Sequence, residues 1–373
     1  MSFKTFYKYL SSMTLQSDLL SREVRDWAIK NQTNLSGAID GVLDGHVEEH
    51  GITPNLEASI RTDLQVRLSG FGFLQKYLDD ENVEEIWINQ PGEVWFASAG
   101  KHFRDSETFS SNELMTLVER MIRVSGRRLD RASPFIDAQL ESGYRLHAVI
   151  PDVTRSHLSL NIRKFSNRVL SMGDLVDRGV VSKSEADYLI NEVRAGANVM
   201  ISGATQAGKT TFLTALLGSL DETERVISVE DTFEIRCVLP DWVAMQTRPE
   251  SLEGKHGIDL RRLVRETLRM RPTRLVVGEV RGAEALDMLI AMNSGIPGLC
   301  TVHANSNDEA LKKLLTLPLL AGGNISNEFL RSLVSTSMRL FVHCSRSSDG
   351  QRRVTSIMKM SSGDSLRLEP VLL

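Results

Sequence analysis

The stretch that decides the fold spans residues 201–220 and reads ISGATQAGKTTFLTALLGSL. An apolar run leads into a loop framed by Gly203 and Gly208, and a helical pattern follows Lys209 and Thr210. The spacing G-x-x-x-x-G-K-[ST] between a strand and a helix is typical of a phosphate-binding loop, or P-loop. Its glycines let the backbone close around phosphate groups where a Cβ atom would intrude. The stretch therefore predicts a site for a nucleoside triphosphate.

The predicted nucleotide-binding residues lie in this loop and in the first turn of the helix. They are Gly203, Thr205, Gln206, Ala207, Gly208, Lys209, Thr210 and Thr211. We expect the backbone N–H groups from Gln206 to Thr211 to point at the phosphates, at the positive end of the helix. Lys209 adds a cation, and the Thr210 hydroxyl is a predicted ligand of Mg²⁺. A glycine-rich turn without a ligand is the alternative, which the order of strand, loop and helix disfavours.

Length and composition describe an ordinary globular protein. The 373 residues suffice for two domains or slightly more, with 41 % apolar and 25 % charged residues. A net charge of −4 argues against broad electrostatic binding to nucleic acid, so we expect no nucleic-acid partner. No apolar run approaches the roughly 18 residues of a membrane span, and the start MSFKTFYKYLSSM is too polar for a secretory signal. The three cysteines form no C-x-x-C pair, which fits a reducing cytoplasm.

The hydrophobic pattern divides the chain into three regions. Residues 1–70 predict a helical extension, because apolar residues recur there at helical spacing. Residues 71–168 combine strand-like segments such as VEEIWI and EVWFA with a helical stretch at 111–125, which predicts a small α+β domain. Residues 169–373 alternate helices with the apolar runs ANVMISG, RVISVED, WVAMQT, RLVVGEV and GLCTVHA. This alternation predicts an α/β core with a mainly parallel sheet covered on both faces.

Polar side chains stand where several of these predicted strands end. Glu230 and Asp231 close RVISVED, Glu279 closes RLVVGE, and His303 follows GLCTV. Ligands of open α/β sheets bind at this edge. We expect Glu279 to orient and activate a water, Glu230 and Asp231 to hold Mg²⁺ through water, and His303 to sense the γ-phosphate. The alternatives are ordinary ones, since an acid after a strand is often a helix cap and a single histidine is often a surface residue.

The order of four motifs resembles a known family. GATQAGKTT, VEDTFEI, LRMRPTRLVVGEVRGAEALDML and GLCTVHANS look like the motifs of the ATPases that drive type II and type IV secretion and type IV pili. The stretches RLHAVIP, LNIRKFS, TRPESLEGKHGIDLRRLVRETLRMRP and LPLLAGGNIS place the resemblance closest to the tight-adherence (Tad, CpaF-like) branch, which assembles Flp-type pili. The resemblance implies a RecA-like P-loop core behind a small α+β domain.

The resemblance also implies cofactors, partners and further site residues. ATP and Mg²⁺ would bind at the P-loop, with Glu279 as the catalytic carboxylate, Glu230 and Asp231 in the family's Asp box and His303 in its His box. Such ATPases form homo-hexameric rings, associate peripherally with the inner face of the cell membrane and act on a membrane platform protein. Arg145 in RLHAVIP and Arg163 in NIRKF occupy motifs whose arginines approach the γ-phosphate.

The sequence departs from the family's pattern at several points. Gln206 and Ala207 stand where many relatives have Gly-Ser, and no four-cysteine zinc module is present, which argues for the Tad or type IV secretion side. Six arginines between 261 and 274 favour a subunit contact or a pore over a nucleic-acid track, because stacking aromatics are missing between them. A conjugation-like type IV secretion ATPase, a RecA-like nucleic-acid translocase, and a nucleotide switch or phosphotransferase stay open as alternatives.

Overall fold

The computed structural model describes most of the chain and divides it into two compact units, residues 1–165 and 166–373. The described residues are 20, 23, 24, 26–28, 30, 31, 33–50, 53–68, 70–123, 128–140, 142–164, 169–248, 250, 257–361 and 366–372. The first 19 residues of the predicted extension and the segment SLEGKH at 251–256 lie outside them. The predicted boundary at residue 70, which separates an extension from the α+β domain, stays a prediction.

The first unit joins a helical pair to an antiparallel sheet. Its helices with bounds inside the described residues are α1 (Leu35–His50), α2 (Pro54–Leu68), α3 (Gln75–Asp79) and α4 (Ser111–Ile122), with a 3₁₀ turn at Gly72–Leu74. Its strands are β1 (Val83–Ile88), β2 (Glu93–Ser98), β3 (Lys101–Ser106), β4 (Phe135–Gln139), β5 (Arg145–Val149) and β6 (Ser159–Arg163). Among the described residues these six strands form one sheet in the order β3-β2-β1-β6-β5-β4, and every pairing is antiparallel.

Helix α4 shows why this unit folds as it does. Ser110 caps the helix, because its Oγ accepts the Glu113 N–H while the Glu113 carboxylate accepts the Ser110 N–H at 2.7 Å. Leu114, Leu117 and Val118 recur at helical spacing and are buried in one cluster with the apolar side chains of the sheet. One face of the sheet is thereby covered by α4.

The second unit is an eight-stranded sheet in the described residues, with helices on both sides. Its strands are β7 (Val199–Gly203), β8 (Val226–Glu230), β9 (Trp242–Gln246), β10 (Arg274–Val277), β11 (Gly298–His303), β12 (Leu340–Arg346), β13 (Arg352–Met360) and β14 (Leu368–Pro370). Its helices are α5 (Met172–Asp177), α6 (Lys183–Arg194), α7 (Lys209–Leu217), α8 (Leu260–Thr267), α9 (Glu284–Asn293), α10 (Asn307–Thr316) and α11 (Asn327–Ser337), with a 3₁₀ turn at Leu317–Ala321.

The strand order explains the apolar runs of the sequence. The order is β14-β13-β12-β7-β11-β10-β8-β9, and the strands from β12 to β9 are parallel. Alternate residues of β7 enter different cores: Val199 and Ile201 join the cluster with α5, α6 and α7, whereas Met200 joins the cluster with α8 to α11. A parallel strand covered on both faces needs apolar residues at every position. The predicted α/β fold with a mainly parallel sheet is therefore confirmed.

The sequence-based prediction, which also placed a C-terminal hairpin where β13 and β14 lie, missed strands β3, β4 and β12. β3 (KHFRDS) is largely exposed and polar at the sheet edge, and β4 has two exposed positions, so neither has an apolar run. β12 is the important omission, because it lies beside the P-loop strand β7 and pairs with β13 on its other side. Within the described residues, no helix has both the length and the apolar content to cross a bilayer.

Candidate active site

The P-loop leaves the centre of the core sheet, between β11 and β12. Strand β7 ends at Gly203, opposite His303 of β11 and Cys344 of β12. A Cβ atom on Gly203 would lie 2.3 Å from the carbonyl oxygen of Cys344, so the close approach of these two strands requires glycine. The loop then turns through Gln206 at φ +62° and Gly208 at φ +90° before α7 begins. Both residues adopt the left-handed region that glycine tolerates best.

The start of α7 is open to an anion. Gly208 precedes the helix and has no side chain to cap it, so the first N–H groups of α7 face the loop without an intrahelical partner. The positive end of the helix dipole lies at the same place. Thr205 and Thr211 are exposed beside it, whereas Ala207 is buried in the core cluster of α7 and its N–H bonds to the Ala204 carbonyl at 3.3 Å. The geometry is that of a phosphate site.

Lys209 is buried against the loop that it serves. Its Nζ donates to the carbonyl oxygens of Gly203 at 3.1 Å and Ala204 at 2.9 Å. The same Nζ lies 3.2 Å from Nδ1 of His303. Because a cation faces Nδ1, that nitrogen is the acceptor, and the neutral imidazole carries its hydrogen on Nε2. Burial and the charge of Lys209 lower the pKa of His303, which favours this neutral form.

Glu279 lies on the other side of His303. Its Oε1 is 2.8 Å from His303 Nε2, off the line of a hydrogen bond, and accepts none from the described residues. Its Oε2 accepts a hydrogen bond of 2.5 Å from Nη2 of Arg281, whose Nη1 lies 3.4 Å from Asp231 Oδ2. A continuous series of contacts therefore joins Lys209 to the acidic strand ends.

Glu230 is a buried carboxylate at the end of β8. Only 2 % of the residue is exposed, and its Oε2 accepts the N–H groups of Glu234 at 2.7 Å and Ile235 at 2.8 Å. Its Oε1 is buried and has no hydrogen-bond partner among the described residues. Burial raises the pKa of Glu230 to about 7, although the two backbone N–H groups oppose the shift. An orphaned carboxylate oxygen of this kind fits a metal ion or a metal-bound water.

Thr210 is connected to the same acidic segment. Its Oγ1 donates to Glu234 Oε2 at 3.4 Å, and the Glu234 N–H bonds to Glu230. Burial also raises the pKa of Asp231, while Arg281 opposes that shift. The structure therefore brings Thr210, Glu230 and Asp231, the predicted magnesium set, to one edge of the sheet.

Arg145 and Arg163 lie together in the first unit. They are direct cross-strand partners on β5 and β6, and Arg145 Nη2 is 3.3 Å from Asp137 Oδ1. Arg163 has Glu85 as its partner on β1. Each arginine therefore has an acidic residue beside it or opposite it in the sheet. That the pair contacts a phosphate stays a prediction.

Four residues near the P-loop were not predicted. Arg281 and Glu234 contact predicted site residues and follow them closely in the chain, so the motifs VGEVR and VEDTFE contained a signal for them. Arg346 and Arg352 contact Gln206 from strands β12 and β13, about 140 positions away. No local sequence pattern indicated that Arg346 and Arg352 would contact the P-loop.

Comparison with known proteins identifies the family. The sequence model described as type II/IV secretion system protein matches residues 67–365. The chain belongs to the type II/IV secretion system protein family. The P-loop, the acidic strand ends and the histidine strand all fall inside the matched region of this secretion-family protein.

Relatives in the same family support the assignment. A Mycobacterium tuberculosis H37Rv protein, Rv3659c, named for conjugal transfer, is 34 % identical over 303 residues, which cover 79 % of this chain and 85 % of the relative. The type IV secretion system protein VirB11 of Bartonella henselae is 29 % identical over 322 residues, covering 76 % and 90 %. The finer assignment to the Tad, CpaF-like branch stays a prediction.

A solved structure supports the fold. The ATPase DotB of Yersinia pseudotuberculosis superposes with a TM-score of 0.57 at 16 % identity, covering 80 % of this chain and 79 % of that one. At this identity the likeness concerns the fold alone. It agrees with the RecA-like core described above.

Proposed function

We propose that this secretion-family protein hydrolyses ATP with Mg²⁺ and uses the energy to drive a secretion or pilus machine. One observation supports hydrolysis above the others: Lys209 of the P-loop contacts His303, and His303 lies beside the buried oxygen of Glu279. Glu279 Oε1, which accepts no hydrogen bond from the described residues, thus lies one residue away from Lys209, the proposed phosphate ligand. A pure binding module would not need that acceptor.

Each residue has a separate part in this proposal. Glu279 accepts a proton from the attacking water through Oε1 and orients it. Neutral His303 fixes Lys209 on one side and faces Glu279 on the other. Thr210, Glu230 and Asp231 hold Mg²⁺, the last two through water, and the ion supplies charge neutralisation at the phosphates.

The arginine pair of the first unit completes the proposal. Arg145 and Arg163 neutralise the charge that develops on the transferred phosphoryl group, from the same subunit or from a neighbour in a ring. We infer a homo-hexamer from the sequence resemblance, with domain closure controlling hydrolysis. The cross-strand pairing of Arg145 with Arg163, which puts two basic residues side by side on β5 and β6, supports a bound phosphate there.

The mechanism is tested with Glu279→Gln. We expect phosphate release from Mg²⁺-ATP to fall at least about a hundredfold while nucleotide still binds, because the variant keeps the shape and loses the proton acceptor. Glu266→Gln, a half-exposed acid of α8 that pairs with Arg269, is the matched control. Mass photometry across protein concentration tests the ring: activity should appear with hexamers, and Arg145→Ala should reduce it without dissociating them. Equal activity of Glu279→Gln and wild type would refute the mechanism.

Two machines are candidates for the motor. The resemblance of the segments TRPESLEGKHGIDL and LPLLAGGNIS favours a Tad pilus, with a membrane platform protein as partner. The names of the relatives, conjugal transfer protein and VirB11, favour a conjugation-like type IV system. A chromosomal Glu279→Gln strain discriminates them, since the first predicts loss of surface pili and the second predicts loss of transfer with pili of the Flp type unaffected.

We propose that the protein acts in the cytoplasm, peripheral to the inner face of the cell membrane. We expect no nucleic-acid partner, because the net charge is −4 and stacking aromatics are missing between the arginines at 261–274. Phosphate release measured with and without single-stranded and duplex DNA tests this point. Stimulation by DNA would instead support the translocase alternative.

A further inference from the structure

Gln206 has an unusual conformation in the P-loop. Its φ of +62° lies in the left-handed region, where a residue with a Cβ is less stable than glycine. Left-handed glutamine persists only where its surroundings over-determine the conformation. The neighbouring Gly208, at φ +90°, pays no such penalty. Something outside the loop must therefore hold Gln206 in place.

Two arginines from the β12–β13 hairpin contact Gln206 at its two polar ends. Nη1 of Arg346 donates to the side-chain Oε1 at 2.7 Å, and Nε of Arg352 donates to the backbone carbonyl at 3.0 Å. Arg346 and Arg352 are cross-strand partners at the tip of the hairpin. Hydrogen bonds from charged donors are the strong ones. The hairpin thus makes hydrogen bonds to both the side chain and the backbone of Gln206.

Arg352 also packs against Gly208. Its Cδ lies 3.3 Å from the position that a Cβ on Gly208 would take, so the arginine stem packs against the loop where α7 begins. The hairpin is fixed relative to the loop because β12 pairs in register with β7 up to Cys344 and Gly203. The two guanidinium groups are therefore delivered to the P-loop by the sheet itself.

We propose that Arg346 and Arg352 are positioning residues that hold the P-loop in its phosphate-binding conformation through Gln206. This inference rests on the proposed nucleotide function and deepens it. Arg346 acts through the glutamine side chain and Arg352 through the backbone. Without them the loop populates other conformations, and the apparent dissociation constant for nucleotide rises in proportion to the lost competent fraction. The maximal rate at saturating nucleotide is much less affected.

The different contacts of the two arginines allow a direct test. Arg346→Ala and Arg352→Ala are made in the wild-type chain and again in a Gln206→Gly chain, in which the loop residue adopts positive φ without a Cβ. Arg353→Ala, an exposed neighbour on β13 that bonds to Gln351, is the matched control. Binding of a fluorescent ATP analogue with Mg²⁺, the steady-state KM and kcat, and the melting temperature are measured for each.

We expect Arg346→Ala to weaken binding about fivefold in the wild-type chain and less than about twofold in the Gln206→Gly chain. Arg352→Ala should weaken binding by about fivefold in both chains, because the carbonyl of residue 206 is present in each. KM should follow these changes while kcat stays within about twofold. Arg353→Ala should behave like its parent.

Several outcomes overturn the proposal. An equal loss for Arg346→Ala in both chains would mean that the arginine contacts the nucleotide rather than Gln206. Unchanged nucleotide binding in Arg346→Ala and Arg352→Ala would also refute the proposal. So would a fall in melting temperature large enough to explain the weaker binding by unfolding. If the wild-type chain binds no nucleotide, the proposed function and this inference fail together, whereas tight wild-type binding with indifferent variants defeats only the inference.

Discussion

Arg281 donates a hydrogen bond of 2.5 Å to Glu279, so the carboxylate at the centre of the site is paired with a cation two positions along the chain. The same guanidinium lies 3.4 Å from Asp231. Glu279 in turn raises the pKa of Arg281, through the hydrogen bond first and its charge second. The acidic edge of the sheet therefore holds an internal counter-ion.

Removal of that counter-ion should strengthen the attraction of the site for Mg²⁺. We expect Arg281→Ala to lower the half-saturating Mg²⁺ concentration for phosphate release by about fivefold, since one unit of positive charge leaves the vicinity of two carboxylates. Arg269→Ala, which removes an exposed arginine paired with Glu266, is the control for net charge. A half-saturating concentration that rises in Arg281→Ala would contradict the prediction.

Protonation of His303 should lower the rate of hydrolysis at acidic pH. Burial and Lys209 keep the pKa of His303 below its usual 6.5, so the ring is neutral at pH 7 and gains a proton only below that value. A protonated ring repels Lys209 and pairs with Glu279, which withdraws both groups from the reaction. We therefore expect kcat to fall as the pH drops through the range below 6.5, and this fall to be absent in His303→Asn.

The measurement is a pH–rate profile at saturating nucleotide for both proteins. His303→Asn keeps a polar side chain and cannot titrate in this range. It should be slower than wild type at pH 8 and almost independent of pH below it. An identical fall of kcat at acidic pH in the variant would assign the effect to another group.

Glu230 should lower the stability of the folded chain at neutral pH. Its folded pKa of about 7 exceeds the ordinary 4.5, so the folded state binds the proton more tightly, and stability is lost as the pH rises from 4.5 through 7. Glu230→Gln is neutral throughout and should gain about 2 kcal/mol over wild type at pH 8, with little difference at pH 4.5. Exposed Glu222→Gln is the control.

Denaturant unfolding at the two pH values, without Mg²⁺ or nucleotide, measures the difference. Addition of Mg²⁺ and nucleotide should reverse the ranking, because the wild type then gains ligand binding that the variant lacks. If Glu230→Gln were less stable than wild type at pH 8, the charged Glu230 carboxylate would be stabilised by its contacts in the folded state, which contradicts the prediction.

Gly203 should be irreplaceable for a steric reason. The Cβ of Gly203→Ala would lie 2.3 Å from the Cys344 carbonyl oxygen, which forces β7 and β12 apart and should cost about 3 kcal/mol or more. Gly295→Ala is the matched control, since φ there is +90° and no described atom lies within 4 Å of the new Cβ, so about 1 kcal/mol is expected. Equal losses in the two variants would refute the steric argument.

The parts of the site that sequence predicts are those with local chemistry. The P-loop spacing, the strand before it and the helix after it are contiguous, so residues 203–211 and their strand could be placed from the sequence alone. Glu230, Glu279 and His303 could be placed at one edge because parallel strands end on the same side of a sheet. The structure brings His303 beside Glu279, as that rule requires, and Arg281 joins Glu279 to Asp231, the residue after Glu230.

The parts that could not be predicted depend on pairing between distant segments. β12 lies next to β7 although a hundred or more residues separate them, and no property of LFVHCSR specifies that neighbour. The contacts of Arg346 and Arg352 with Gln206 follow from this pairing, and so does the need for glycine at position 203. Strand β3 was not predicted because an exposed strand at the edge of a sheet needs no run of apolar residues.

The insertion of β12 beside β7 has a consequence for biosynthesis. Gln206 meets Arg346 only after a further 140 residues have been added to the growing chain. At about 5–20 residues per second this takes on the order of ten seconds, during which β7 lacks β12 as its neighbour on that side. The edge of β7 that carries the P-loop therefore stays unpaired on the β12 side until the last third of the core sheet has been synthesised.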